Sequence, residues 1–244
     1  MLQGRLDEGL AWVGEARDHA SLIKHLHSFV FARHFLQLAH YWRDEPTEVL
    51  VECEGFAALC REQGFTYWLT VGAMIEGWAH VRLGRPQGFE LLEKGLGGWL
   101  RTGARLAATQ HFGFLADALL VLNRHADGLS AISKAEAAGS ETGERCYVSH
   151  VADLKGLLLL DSASGNNRKA ETAFAEAIAV ASSIGAQWLE LRAAVHLAQL
   201  LEMERRANEI PDLIHPRLQR ISGASQTTIV GEALRLLQAA SAID

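Results

Sequence analysis

The chain has 244 residues, 49% of them hydrophobic, and a formal charge of −6 from 23 basic and 29 acidic side chains. The length allows one domain or two with a large core, and the acidic balance, with its scattered Lys and Arg, argues against a nucleic-acid partner, which would be held by neutralising phosphates. No apolar run reaches the roughly 18 residues of a membrane span, and the opening "MLQGRLDEGL" carries acids where a signal peptide has its apolar core, so a cytoplasmic protein without a membrane partner is expected.

Ala and Leu dominate, with Glu, Arg and Gln beside them, all strong helix formers. β-branched runs and Asn-Gly turns are scarce, so the chain reads as all-α. The first helix, 5–19, holds Gly9 and Ala16 seven apart, two turns along one face. Helix 22–42 ends at "WRDEP" (42–46), where Asp44 suits a cap and Pro46 the first turn of helix 46–62. "REQGF" (61–65) leads to helix 66–83, with Gly77 at its middle, and "LGRP" (83–86) to helix 87–101, with Gly88 and Gly95. "RTGAR" (101–105) leads to 105–122, with Ala116 in the middle slot, and "LNRHAD" (122–127) to 126–138, with Gly128 and Ala135. "ETGER" (141–145) leads to 145–161, with Gly156 in the slot, and "SASGNNR" (162–168), with Asn166 a candidate cap, to 167–184. That helix carries Ala170, Phe174 and Ala177 on one stripe, where Phe174 would plug the gap between the small residues. "SIGAQ" (183–187) opens helix 187–203, in which Trp188 would cover the preceding pair and Arg192 takes the middle slot. Helices 206–221 and 227–241 complete a set of twelve.

The middle slots recur at 39, 40 and 36 residues, and the four Gly-ended turns at 39, 40 and 42. A small residue lets two antiparallel backbones approach while larger neighbours fill the grooves. Gly inside a helix costs about 1 kcal/mol against Ala, so its repetition implies close packing in return. The reading is one domain over 1–244, a solenoid of antiparallel pairs at 22–62, 66–101, 105–138, 145–184 and 187–221. Helix 5–19 is then an unpaired second-type helix, and 227–241 a C-terminal cap.

Ala170, Phe174, Ala177, Trp188 and Leu191 resemble the tetratricopeptide repeat, with Arg192 where Gly is usual and Val195 where Tyr is usual. The phrases "GWAHVRLGRPQG", "ETGERCYVSHVADLKGLLLL" and "AETAFAEAIAVASSIGAQWLELRAAVHLAQLL" are similar to the C-terminal repeat region of large bacterial regulators that carry a cyclase or other output domain and a signalling ATPase. The resemblance implies a right-handed superhelix, a sensing or restraining role, and a cyclase- or ATPase-type signalling partner. The chain itself has no G-x-x-x-x-G-K-[ST] loop.

No reaction is legible. Among eleven histidines no pair has the i, i+4 spacing of a helical zinc site, and H-E-x-x-H and G-x-S-x-G are missing. Cys146 and His150 are four apart but read as packing beside a surface imidazole. Cys53 and Cys60, seven apart on one helix, lie about 10 Å apart along its axis, too far for a disulfide, so three reduced, buried thiols are expected. The expectation is no catalytic residue, no metal, no cofactor and no enzyme. The first helix of each pair would instead line a concave groove with His34, Leu38, Tyr41, Met74, Trp78, Val81, Gln110, Asp117, Leu120, His150, Asp153 and Leu157. An exposed Trp78 and Tyr41 there would suit a protein or peptide partner. Two alternatives stay open: a sensor binding a small ligand or peptide in that groove, and a homodimerising scaffold.

Overall fold

The computed structural model describes residues 1–161, 166–224 and 226–241. Among them the chain is helical without strands, apart from an isolated parallel bridge between Arg5 and Ser222. The helices are α1 (Leu6–Leu22), α2 (Leu26–Arg43), α3 (Pro46–Cys53), α4 (Phe56–Glu62), α5 (Thr66–Arg82), α6 (Gly88–Arg101) and α7 (Ala108–Val121). They continue with α8 (His125–Thr142), α9 (Val148–Asp161), α10 (Asn167–Ser183), α11 (Gln187–Met203), α12 (Ile210–Leu218, after a 3-10 turn at Ala207–Glu209) and α13 (Thr228–Ser241). All twelve predicted segments are present. The one expected over 46–62 is broken into α3 and α4 at Gly55, whose φ of +70° interrupts the helical ladder. The break lets Phe56 lie on Gly72 of α5, where a Cβ would stand 2.6 Å from its ring.

The turn chemistry follows the sequence. Gly64, Gly103, Gly143 and Gly185 all have φ between +69° and +72°, the left-handed C-terminal conformation that costs glycine least. Asp44 departs from expectation: it is the left-handed residue ending α2, not the cap of α3, and its carboxylate goes to Arg82 instead. Helix α8 runs a turn past its expected end because Gly139 stays helical against Thr109. Part of the predicted turn 162–168, at 162–165, lies outside the described residues.

Successive helices pack on one another, α5 with α6, α7 with α8 and α9 with α10 most closely, with α1 on α2, α2 on α3, α10 on α11 and α11 on α12 as well, and α2, α5, α7, α9 and α11 touch in succession. The small slots explain the closeness. A Cβ on Gly77 would stand 2.5 Å from Leu92 N and 2.6 Å from Gly88 O, both backbone atoms of α6. Phe174 fills the space over Gly156, where a Cβ would come within 2.4 Å of its ring. Ala16 breaks the pattern in α1: it is exposed, and that helix is not unpaired but packs along α2.

The pairs do not touch only their neighbours. Trp188, expected to cover the preceding pair, is fully buried at the start of α11 and also reaches α2, donating from Nε1 to the carbonyl of Trp42 at 2.8 Å. Residues 1–6 run beside 187–222: Trp188 N donates to Leu2 O, Ser222 N to Gly4 O and Leu6 N to Ser222 O. The first and last described segments therefore meet, and a large hydrophobic core runs from Leu6 to Ala240, with a small separate cluster of Val30, Phe56 and Cys60.

Candidate functional site

Because the ends meet, the inner sides of α2, α5, α7, α9 and α11 face one another across a short distance. All eight residues expected to present a groove, His34, Tyr41, Met74, Trp78, Gln110, Asp117, His150 and Asp153, are buried. The expectation of an exposed Trp78 and Tyr41 is thereby corrected: their rings lie 4.5 Å apart, and Phe114 sits 4.7 Å from Tyr41.

Five of the eight form two polar clusters. In the first, Asp117 Oδ2 accepts from Trp78 Nε1 at 2.9 Å and from the Tyr41 hydroxyl at 3.3 Å, and that hydroxyl lies 2.6 Å from His150 Nε2. The Tyr41 hydroxyl has one proton to place between the Asp117 carboxylate and His150 Nε2, and His150 Nδ1 has no partner among the described residues. Burial, aided by the charges of Arg192 and His196, pushes the His150 pKa well below the usual histidine range and keeps the ring neutral. Burial and then the Asp117 charge raise the Tyr41 phenol well above its ordinary value. In the second cluster Asp153 meets His196 Nδ1 at 2.7 Å and Arg192 Nε at 3.3 Å.

Between the clusters lies a cavity of about 180 Å³. Tyr41, Arg82, Asp117, Arg192 and His196 line its charged and polar side; Leu120, Leu157, Val195 and Ile229 line its apolar side. Arg82 reaches it while gripping both carboxylate oxygens of Asp44. Glu232, at the start of α13, accepts from Gln199 at 2.9 Å on the far wall.

The three remaining residues sit elsewhere. His34 pairs with Gln37 at 3.2 Å and lies under an aromatic group made by Phe35 and Trp68. Met74 is core against Gly95, and Gln110 is buried beside Thr109 and His111. Sequence reasoning missed Arg82, Arg192 and His196 as site residues. A signal was present for Arg192: it occupies the slot that Gly77, Ala116 and Gly156 fill with small side chains, and a charge in that slot needs polar company.

Nothing here resembles an activated thiol. Cys146 is exposed, correcting the expectation of three buried thiols, while His150 is committed to Tyr41. Cys53 and Cys60 fall on separate helices, buried and free. Among the described residues no group of three or more His, Cys, Asp or Glu is arranged to hold a metal, and no helix is long and apolar enough to cross a membrane. No protein-family model matches the chain, and no curated protein does.

Proposed function

We propose that the chain is a non-catalytic regulatory binding module, a single right-handed superhelical domain of tetratricopeptide-like pairs that senses a small polar ligand in its interior. The observation that carries this reading is the convergence of Asp117 and Arg192 on one cavity, with polar atoms that the fold leaves unpaired. Buried charges are normally paired, and a pocket with few convergent polar groups on an apolar wall is what small-ligand sites look like. The alternation of pair contacts along the array and the four left-handed glycine turns support the repeat assignment. Screening the whole chain by thermal unfolding against a panel of polar metabolites tests the reading. A ligand at 100 times its dissociation constant adds about 2.7 kcal/mol, a shift of several degrees; a panel without any shift rejects the sensor.

A protein partner, the first expectation from the sequence, is proposed for the outside. Leu22, Ile23 and Leu26 at the α1–α2 turn are exposed, as are Phe31 and Phe35, whose rings lie 4.7 Å apart. Trp68 of α5 meets Phe31 edge-on at 5.5 Å. Adjacent exposed aromatic and aliphatic side chains of this kind mark interaction surfaces. The partner that the sequence resemblance suggests is a cyclase- or ATPase-type signalling protein. Phe31→Ser with Phe35→Ser should abolish its capture without loss of helicity, and light scattering separates that outcome from homodimerisation through the same face.

A further inference from the structure

We infer that the internal cavity is a site for a small zwitterion of the α-amino-acid type, its ammonium on Asp117 and its carboxylate on Arg192; this rests on the sensor reading above. The cavity has two poles. Asp117 is 5% exposed and lines the cavity. Its Oδ2 is occupied by Tyr41 and Trp78, whereas no described residue donates to Oδ1. A cationic N–H donor is the strongest partner such a carboxylate oxygen could take. Arg192 is the opposite case. Its side chain is 15% exposed, and its contact with Asp153 is through Nε at 3.3 Å. The two terminal nitrogens, the fork that grips a carboxylate, make no hydrogen bond to any described residue.

Asp117 and Arg192 face the same space, yet Arg192 is ion-paired with Asp153 and not with Asp117. Their separation leaves each pole available to a molecule that carries both charges. A simple anion would engage the Arg192 fork and leave Asp117 with only Tyr41, Trp78 and the charge of Arg82; a simple amine would leave the Arg192 fork unengaged. Leu120, Leu157, Val195 and Ile229 form an aliphatic part of the wall, beside the polar Gln199, Thr228 and Glu232. The aliphatic part suits the side chain of an apolar amino acid. The volume, about 180 Å³, is about six waters' share of liquid, which suits a ligand of roughly six to ten non-hydrogen atoms.

Isothermal titration of the full chain with leucine, with isoamylamine (leucine without its carboxylate) and with 4-methylpentanoate (leucine without its ammonium) tests the assignment. Leucine or valine should bind, and each single-charge analogue should bind at least tenfold more weakly. Asp117→Asn keeps an acceptor for Tyr41 and Trp78 but turns an N–H toward the ammonium, and should weaken leucine at least tenfold while leaving the unfolding midpoint near that of the parent. Equal affinity for the acid and the amino acid, or unchanged affinity in Asp117→Asn, overturns the zwitterion. Binding of a sugar or an inorganic anion in place of amino acids also overturns it while keeping the cavity a ligand site. A chain that binds nothing in either this set or the wider metabolite panel rejects both the zwitterion and the sensor.

Discussion

Gly77→Ala adds one methyl group at the tightest backbone contact between two paired helices. The new Cβ would stand 2.5 Å from Leu92 N and 2.6 Å from Gly88 O, about 0.9 Å inside ordinary contact. Both obstructing atoms belong to the backbone of α6, so no side-chain rotation relieves the clash; α5 and α6 must separate. Overpacking of this kind costs about 3 kcal/mol at the upper end of the usual range. Replacing a helical Gly by Ala returns about 1 kcal/mol of helix propensity. The net loss is about 2 kcal/mol, a fall in melting temperature of roughly 4–8 °C for a chain of this size. Gly14→Ala is the matched control, since in α1 its Cβ would meet nothing within 4 Å and only the propensity gain remains. It should raise the midpoint by about 2 °C. Thermal and urea unfolding followed by circular dichroism at 222 nm read both. If Gly77→Ala proves as stable as the parent, the small slots do not exist to bring paired backbones together.

Trp188→Phe removes the hydrogen bond to the Trp42 carbonyl and some buried ring volume; about 2 kcal/mol should be lost in urea unfolding, and unaltered stability would show that the ends of the array do not depend on this tie. Burial lowers the pKa of His34 to about 4 and of His111 to about 3. Both lie below the unfolded value near 6.5, so the unfolded chain takes protons first as the pH falls. Their contribution is intact above about pH 6.5, is lost downward to about 4 and 3, and by pH 5 each has cost about 2 kcal/mol. Urea midpoints at pH 7.5 and 5.0 should differ accordingly, with His111→Leu recovering part of the difference; an equally large drop in that variant would refute the assignment. A thiol-reactive chromogen should label Cys146 quickly and the other two slowly, because burial holds the Cys53 thiol high and raises Cys60 to about 11. Cys146→Ser should abolish the fast phase, and a fast phase that survives it would contradict the burial of α3 and α4.

Most of the helices and the Gly-ended turns were legible in the sequence because each is a local matter. A Gly seven residues from another small residue, or a Gly after a polar turn, states a backbone requirement within two or three helical turns. The break at Gly55 was missed because a single Gly within a helical pattern carries no signal separating tolerance from interruption; the packing of Phe56 on Gly72 decided it. Tyr41, Asp117, His150 and Asp153 lie buried on helical stripes, and what they face was not readable. In a stack of helical pairs, curvature arises from a small rotation at every interface, and its sum decides whether the inside is an open groove or a filled centre. The contacts that fill it join residues 109 and 146 positions apart, Tyr41 with His150 and Trp188 with Trp42, and no local pattern encodes such a meeting. The sequence alone therefore determined an all-helical chain with glycine-ended turns and small residues at close helix contacts. Only the tertiary structure brought the first hairpin onto the last, buried the expected groove, and left Asp117 and Arg192 facing one small cavity.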